Sequence, residues 1–362
     1  MNKKIKPIAI YLPQFHPTPE NDEWWGKGFT EWTNVTKAKS LFKGHYQPQL
    51  PSDLGFYDLR LEETRIAQAE MAKQYGIEGF SYYHYWFKGK RLIERPFEDT
   101  LKSKKPDFPF CLFWANETWS RRWLGEEKEI LIKQEYSKED DQNHADYLAN
   151  VFQDERYITV NNRPVFIIYR PTDLPNPSET IAIIKETCIK KNGVEPYLVA
   201  SNSHCDDIQK LMGFGFDQIL FFKPKMVLPD VFNDNFLYRR LKRNLFNHGV
   251  FDGKLKIYTY QEALEYMERV EPKSFNNIIP CVFVGWDNTA RRKEKGIIMK
   301  DNTPELFQGE INRVVKKIKD SDENTGLLFI NAWNEWAEGN HLEPDHKNGD
   351  KFLNCIKNIN AK

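Results

Sequence analysis

Eight short apolar runs, separated by helical patterns, constrain this 362-residue chain more than any other feature. They fall at 7–12, 78–83, 109–114, 164–169, 196–201, 217–222, 279–285 and 326–331. Each is near-continuous rather than alternating, as in strands buried on both faces, and this favours a parallel sheet. Helical patterns fill the gaps at 58–75, 92–104, 139–153, 177–191, 206–213, 259–271, 304–319 and 349–359. The first places Leu61, Thr64, Ile66, Ala69, Met71 and Ala72 near helical spacing and closes at Gly76. Pro177-Ser178 and Thr303-Pro304 suit helix starts, because proline fits the first turn. The expectation is an α/β fold, a (β/α)8 TIM barrel, forming a single catalytic domain over 1–362. Two long βα loops, roughly 13–57 and 223–258, are of the size that covers or carries a site. A doubly wound open sheet is the alternative; it normally shows fewer strands and a Gly-rich phosphate loop, and neither GxGxxG nor GxxxxGK(S/T) occurs here.

Charge is balanced, with 52 basic and 52 acidic side chains, so nothing points to a nucleic-acid partner. One basic cluster, Arg239, Arg240, Lys242 and Arg243, reads as a solvated helix face, with an anion site as the sharper alternative. Five cysteines without regular spacing argue against a disulfide framework; Cys111 and Cys281 sit inside apolar runs. The apolar stretch after the charged start, Ile8 to Leu12, is too short for a signal-peptide core. No run reaches membrane-spanning length. A cytoplasmic protein without membrane insertion is expected.

Aromatic residues make up 14% of the chain, with ten Trp, and each Trp lies in or just after the C-terminal end of a predicted strand. In this kind of barrel that rim carries the active site. Some of these indoles should pack loops onto the barrel and others line a cleft. The same rim gathers polar residues: Gln14 and His16; Tyr83 and His84; Asn116 and Glu117; Tyr169 and Arg170; Asn202 and His204; Asp287 and Asn288; and Asn331, Asn334, Glu335 and Glu338. Amides, imidazoles and carboxylates read hydroxyls, and indoles stack on the apolar faces of sugar rings. The expected substrate-binding set is His16, Trp32, Tyr83, His84, Trp114, Asn116, Glu117, Trp119, Asn202, Trp286, Asp287, Asn331, Trp333, Asn334 and Trp336. No cofactor is expected. Nor is a metal, since HExxH and other short ligand spacings are lacking.

Glu335 and Glu338 are three residues apart, so a helical turn after the last strand projects both to one side. Retaining glycosidases need two carboxyls about 5–5.5 Å apart, with one held protonated for acid duty. A salt-bridge or helix-start role is the bland alternative. Glu343 and Asp345 read as structural or rim residues.

Asn334-Glu335-Trp336-Ala337-Glu338-Gly339 resembles the Asn-Glu-Trp-x-Glu-Gly motif of the endo-α-mannosidases of glycoside hydrolase family 99. The whole chain resembles the related WbsX family still more. That likeness runs through Tyr11-Leu-Pro-Gln-Phe-His16, Gly28-Phe-Thr-Glu-Trp32, Trp114-Ala-Asn-Glu-Thr-Trp119, Gly285-Trp-Asp-Asn288 and the Asn331–Gly339 block. WbsX members are described as glycosyltransferases of lipopolysaccharide O-antigen or capsule assembly. The endo-mannosidase resemblance implies that Glu335 takes the proton of a sugar 2-hydroxyl, whose oxygen attacks the anomeric carbon to give a 1,2-anhydro sugar. Glu338 would then be the acid and afterwards the base. Ala337 stands where endo-mannosidases carry a histidine, which leaves the sugar at the neighbouring subsite open.

Two readings follow: a retaining glycoside hydrolase or transglycosylase acting on a mannose-like glycan, or a nucleotide-sugar glycosyltransferase. The transferase reading leans on a diphosphate site, often a metal-bound DxD. The DxD here, Asp320-Ser-Asp322, precedes the eighth strand and so is expected at the far end of the barrel. A catalytically dead binding barrel is a third possibility, against which the paired glutamates argue.

Overall fold

The computed structural model describes residues 4–121, 126–204, 206–224, 255–357 and 359–360. Eight strands run β1 (Lys6–Tyr11), β2 (Gly79–Phe87), β3 (Phe110–Trp114), β4 (Arg163–Ile168), β5 (Tyr197–Ser201), β6 (Gln218–Phe221), β7 (Ile278–Phe283) and β8 (Leu327–Asn331). Each is parallel to the next, and β1 pairs with both β2 and β8, which closes the ring. Helices lie between them: α1 (Glu62–Gln74), α2 (Arg95–Ser103), α3 (Lys138–Val151), α4 (Pro177–Asn192), α5 (Ile208–Gly213), α6 (Tyr260–Val270), α7 (Pro304–Lys319) and, after β8, α8 (Lys351–Lys357). This is the expected (β/α)8 barrel.

Local chemistry explains the elements. Ser137, Asn176 and Thr303 each accept a backbone N–H in the first turn of α3, α4 and α7. Thr259 and Glu262 form a reciprocal capping box at the start of α6. Along α7, Phe307, Ile311, Val314, Val315 and Ile318 recur at helical spacing and pack onto the barrel. The strand residues form one buried cluster, with Ile10, Phe113, Ile167, Val199 and Ile330 wholly inaccessible.

Of the two long loops, 13–57 contains two short helices, Pro19–Trp25 and Glu31–Lys37. It is bound down by side chains of later exits: Asp287 accepts from His45 Nε2 at 2.7 Å and Gln47 Nε2 at 2.9 Å. Most of 223–258, with Arg239, Arg240, Lys242 and Arg243, lies outside the described residues. Beyond the barrel, Lys256–Thr259, Trp286–Asp287 and Ile297–Lys300 form a small sheet. Asn334–Glu335 pairs with Asn340–His341. Asp320-Ser321-Asp322 follows α7 just before β8, on the face opposite the strand exits, as expected. No helix among the described residues is long and apolar enough to cross a membrane.

Candidate active site

Past Asn331 the chain makes a tight turn that ends in the 3-10 turn Trp336–Glu338 and closes at Gly339. Gly339 has φ +58°, and a Cβ there would lie 2.7 Å from Gln49 Nε2 and 3.0 Å from the Asp287 Cβ. Both the left-handed backbone and the crowding call for glycine. Trp336, wholly buried, stacks on His341 with ring centroids 3.7 Å apart, and its indole N–H donates to Glu343 at 2.6 Å. Glu343 also accepts from Tyr57 Oη and Gln68 Nε2, so this carboxyl ties α1 and the first loop to the turn. Burial pushes it up to about 7 against those hydrogen bonds. The sequence assigned Glu343 a structural or rim role; it is structural, in the interior.

The turn brings Glu335 and Glu338 to one guanidinium. Arg291 Nη2 donates to Glu335 at 3.0 Å and Nη1 to Glu338 at 2.5 Å. The same arginine bonds Glu31 through Nε at 2.8 Å and Nη2 at 2.6 Å. Glu31 is fully buried, Arg291 and Glu335 nearly so, and the Glu338 side chain is 21% exposed. Burial holds both Glu335 and Glu338 above the usual carboxylate range. The Glu338 charge adds to the rise at Glu335, Arg291 opposes it at both residues, and Glu31 reinforces it at both. Three carboxyls around one cation are most readily balanced with a proton on the pair. Around them stand Tyr83, Tyr85 and Tyr169; burial raises all three phenols, and Glu338 raises them further.

The structure sorts the expected binding residues into two groups. Tyr83, Glu117 and Trp119 are partly accessible. Glu117 lies 3.9 Å from Arg170, which also contacts His204. Trp119 meets Trp24 edge to face at 5.9 Å and Tyr85 at 5.0 Å. Among the described indoles, Trp24, Trp25 and Trp119 keep accessible surface.

The second group is buried. Trp32, Trp114, Trp286, Trp333 and Trp336 are buried, Trp286 also bordering the cavity beside the turn. The amides are bound to main chain: Asn116 to Arg170, Asn202 to Asp206, Asn331 to the Lys223 carbonyl, and Asn334 to both polar groups of Leu12. Strands that end inside a rim leave peptide groups unpaired, and a short amide satisfies them. Asp287 is the loop anchor described above. His16 is buried beside Asp58, and burial lowers it to about 4.

His84 is turned away from the mouth, its Nε2 2.9 Å from His144 Nε2 and its ring stacked on Tyr147. Burial lowers His84 to about 3, and His144 also falls well below its ordinary value. Neutral in the fold, the pair takes up protons on unfolding, so stability falls as pH drops below the ordinary histidine value near 6.5. Urea unfolding at pH 7 and pH 5 should show a loss of about 2 kcal/mol per histidine between them. The slope should flatten in His144→Gln; an unchanged slope would count against this origin.

Arg291 and Glu31 were missed by the sequence reading. Glu31 lies inside Gly28-Phe-Thr-Glu-Trp32, and Arg291 follows Trp286-Asp287-Asn288 by three residues. Among the described residues no group of three or more His, Cys, Asp or Glu is placed to hold a metal ion. A separate cavity of about 320 Å³, lined by Tyr46, Gln49, Trp286, Asn302 and His341 among others, lies beside the turn; neither glutamate lines it.

The closed parallel barrel gathers these acids at the C-terminal ends of its strands. The chain belongs to the WbsX glycosyltransferase family, whose model, "Glycosyltransferase WbsX", matches residues 7–356. It is 39% identical over 351 residues to the uncharacterised protein WxcX of Xanthomonas campestris pv. campestris, covering 97% of this chain and 49% of that protein. The chain thus spans about half the length of the curated relatives it matches. Among solved structures, the GH99 endo-α-mannosidase from Bacteroides thetaiotaomicron superposes with a TM-score of 0.60 at 12% identity, over 98% of this chain and 96% of that one. A "glycoside hydrolase-like protein" gives 0.60 at 13%, over 99% and 94%. At such identities these two speak for the shared fold.

Proposed function

We propose that the chain is a retaining glycoside hydrolase, or a transglycosylase using the same site, acting on a mannose-like glycan. The observation that carries this reading is the pair Glu335–Glu338, held by one buried guanidinium at the exit of β8. A shared guanidinium keeps two carboxyls near enough to flank one glycosidic bond, whose acids stand roughly 5–9.5 Å apart across both mechanisms. At rest the dyad's proton favours Glu335, which burial lifts to about 8; once that proton passes to Glu338, ionised Glu335 takes the sugar 2-hydroxyl proton while O2 closes on the anomeric carbon. Glu338, protonated, gives its proton to the departing glycosidic oxygen. Glu338 then deprotonates water or an acceptor hydroxyl, whose oxygen attacks the anomeric carbon and breaks its bond to O2, while Glu335 returns its proton to O2; the original configuration is restored. One proton on the dyad is what this division of labour needs. The 2-hydroxyl must lie trans to the leaving group, as in α-mannosides.

The family's description favours glycosyl transfer, and an acceptor hydroxyl in place of water makes transfer the same reaction. The surplus of carboxyls over Arg291 repels a nucleotide diphosphate and is indifferent to a neutral sugar donor. The protein should therefore act on α-mannosyl oligosaccharides or aryl α-mannosides without any nucleotide sugar, the first product being the α-anomer by proton NMR. Activity confined to nucleotide-sugar donors, or an inverted first product, would overturn the reading.

A further inference from the structure

Arg291 and Glu31 have no part in the bond-breaking steps above, yet both are buried charges inside the site. Arg291 is raised above its already high ordinary value: burial acts against its charge, and Glu31, Glu338 and Glu335 outweigh it. It is a fixed cation, and its fork reaches three carboxyls at once. Glu31 comes from a short helix of the first loop, whose start is tied to the β1 exit by the Glu31 N–H bond to the Gln14 carbonyl at 3.0 Å. Arg291 comes from the β7 exit, and the dyad from the β8 exit. Three separate connections therefore meet at this one guanidinium.

We propose that Glu31 and Arg291 are a positioning pair that rests on the dyad reading: Arg291 aligns Glu335 and Glu338, and Glu31 takes up enough of its charge to leave one proton on them. The physical argument is one of shares. A guanidinium bonded to the dyad alone would favour two carboxylates there and leave no acid. A dyad without the guanidinium would hold its proton too firmly and lose alignment. Glu31, buried against Nε and Nη2 of the same fork, sets the balance between these extremes. Among the described residues, the other charged or titratable groups facing the dyad include Arg292 and the phenols Tyr83, Tyr85 and Tyr169.

The test reads the dyad without substrate, so it stands apart from the test of the hydrolase reading. Infrared difference spectra, titrated with pH, follow the protonated-carboxyl band, which is assigned by its loss in Glu335→Gln and Glu338→Gln. In Glu31→Gln the midpoint of that band should move down by about one pH unit, because a negative neighbour is gone and Arg291 turns wholly to the dyad. In Arg291→Gln it should move up by at least as much. Arg291→Lys, which keeps the charge and loses the fork, should restore most of the midpoint while the band broadens. Circular dichroism establishes folding of each variant, and if Arg291→Gln does not fold, Glu31→Gln and Arg291→Lys decide. Folded Glu31→Gln with a midpoint unmoved, or moved upward, would overturn the proposal. Loss of turnover in the dyad variants remains a separate result.

Discussion

Glu338→Gln is expected to lower turnover of an α-mannoside with a poor leaving group by about 10³-fold, and Glu335→Gln by at least as much, with the fold kept in both. General acid–base catalysis contributes about 10²–10⁴-fold per group, and both groups act in the rate-determining cleavage. The two variants separate on an activated substrate. A dinitrophenyl glycoside departs without a proton, so Glu338→Gln should regain most of its rate in the first step. Glu335→Gln should not, because the 2-hydroxyl still needs a base. Glutamine keeps the shape of each side chain and removes a charge that burial disfavours, so thermal midpoints should stay within a few degrees of the parent. Full activity in both folded variants would remove the dyad from the mechanism. Equal rescue of both by the activated substrate would keep the dyad and reject the separate roles.

The two glutamates were legible because their signal is local. An apolar run predicts a strand, a strand end in a barrel predicts a rim, and a spacing of three predicts one side of a turn. The structure supplies that turn as Trp336–Glu338. The strands were legible for the same reason: burial on both faces leaves a continuous apolar run in one place. Boundaries drifted where a strand outlives its core. β2 reaches Phe87, four residues beyond the predicted end, and there pairs antiparallel with Lys90–Leu92.

Direction was the illegible part. Asn334 and Glu335 are neighbours with similar chemistry on paper; Asn334 turns inward to Leu12 and Glu335 turns to Arg291. Trp333 and Trp336 are core, whereas Trp24 and Trp119 form the accessible edge. Residue type tells what a side chain can bind, and main-chain geometry decides whether it is already bound. Glu31 and Arg291 show the converse: 260 positions separate them, and only closure of the barrel makes them one site.

Lys223→Met should cost about 3–5 kcal/mol of folding stability, the largest effect expected from a side chain outside the mouth. Lys223 follows β6 and has no accessible surface; its Nζ lies 2.8 Å from both Glu271 and Glu310. Arg313 bonds both acids from α7, and Lys317 reaches Glu271 at 2.9 Å. Burial alone would push Glu271 up, but Lys223 and then Arg313 outweigh it and hold the carboxyl at about 2. Glu310 is lowered by the same two cations against the same burial. Methionine fills the space of the lysine stem and leaves two buried carboxylates short of a cation, which is what makes the single change costly. Replacing Glu310 with Gln in the same chain should recover part of the loss, because one of the stranded charges goes with it. The pH dependence has a definite sign. Depressed acids stabilise the fold above their ordinary value near 4.5, and that contribution fades as pH falls toward 2. The gap between parent and Lys223→Met in urea unfolding should therefore be widest near neutrality and narrow below about pH 4.5. A gap under about 1 kcal/mol at pH 7 would show that the network is close to balance with its own desolvation. The consequence reaches the active site through the backbone: the Lys223 carbonyl accepts from Asn331, the last residue of β8, at 3.0 Å. Loosening this network should thus loosen the strand from which Glu335 and Glu338 depart.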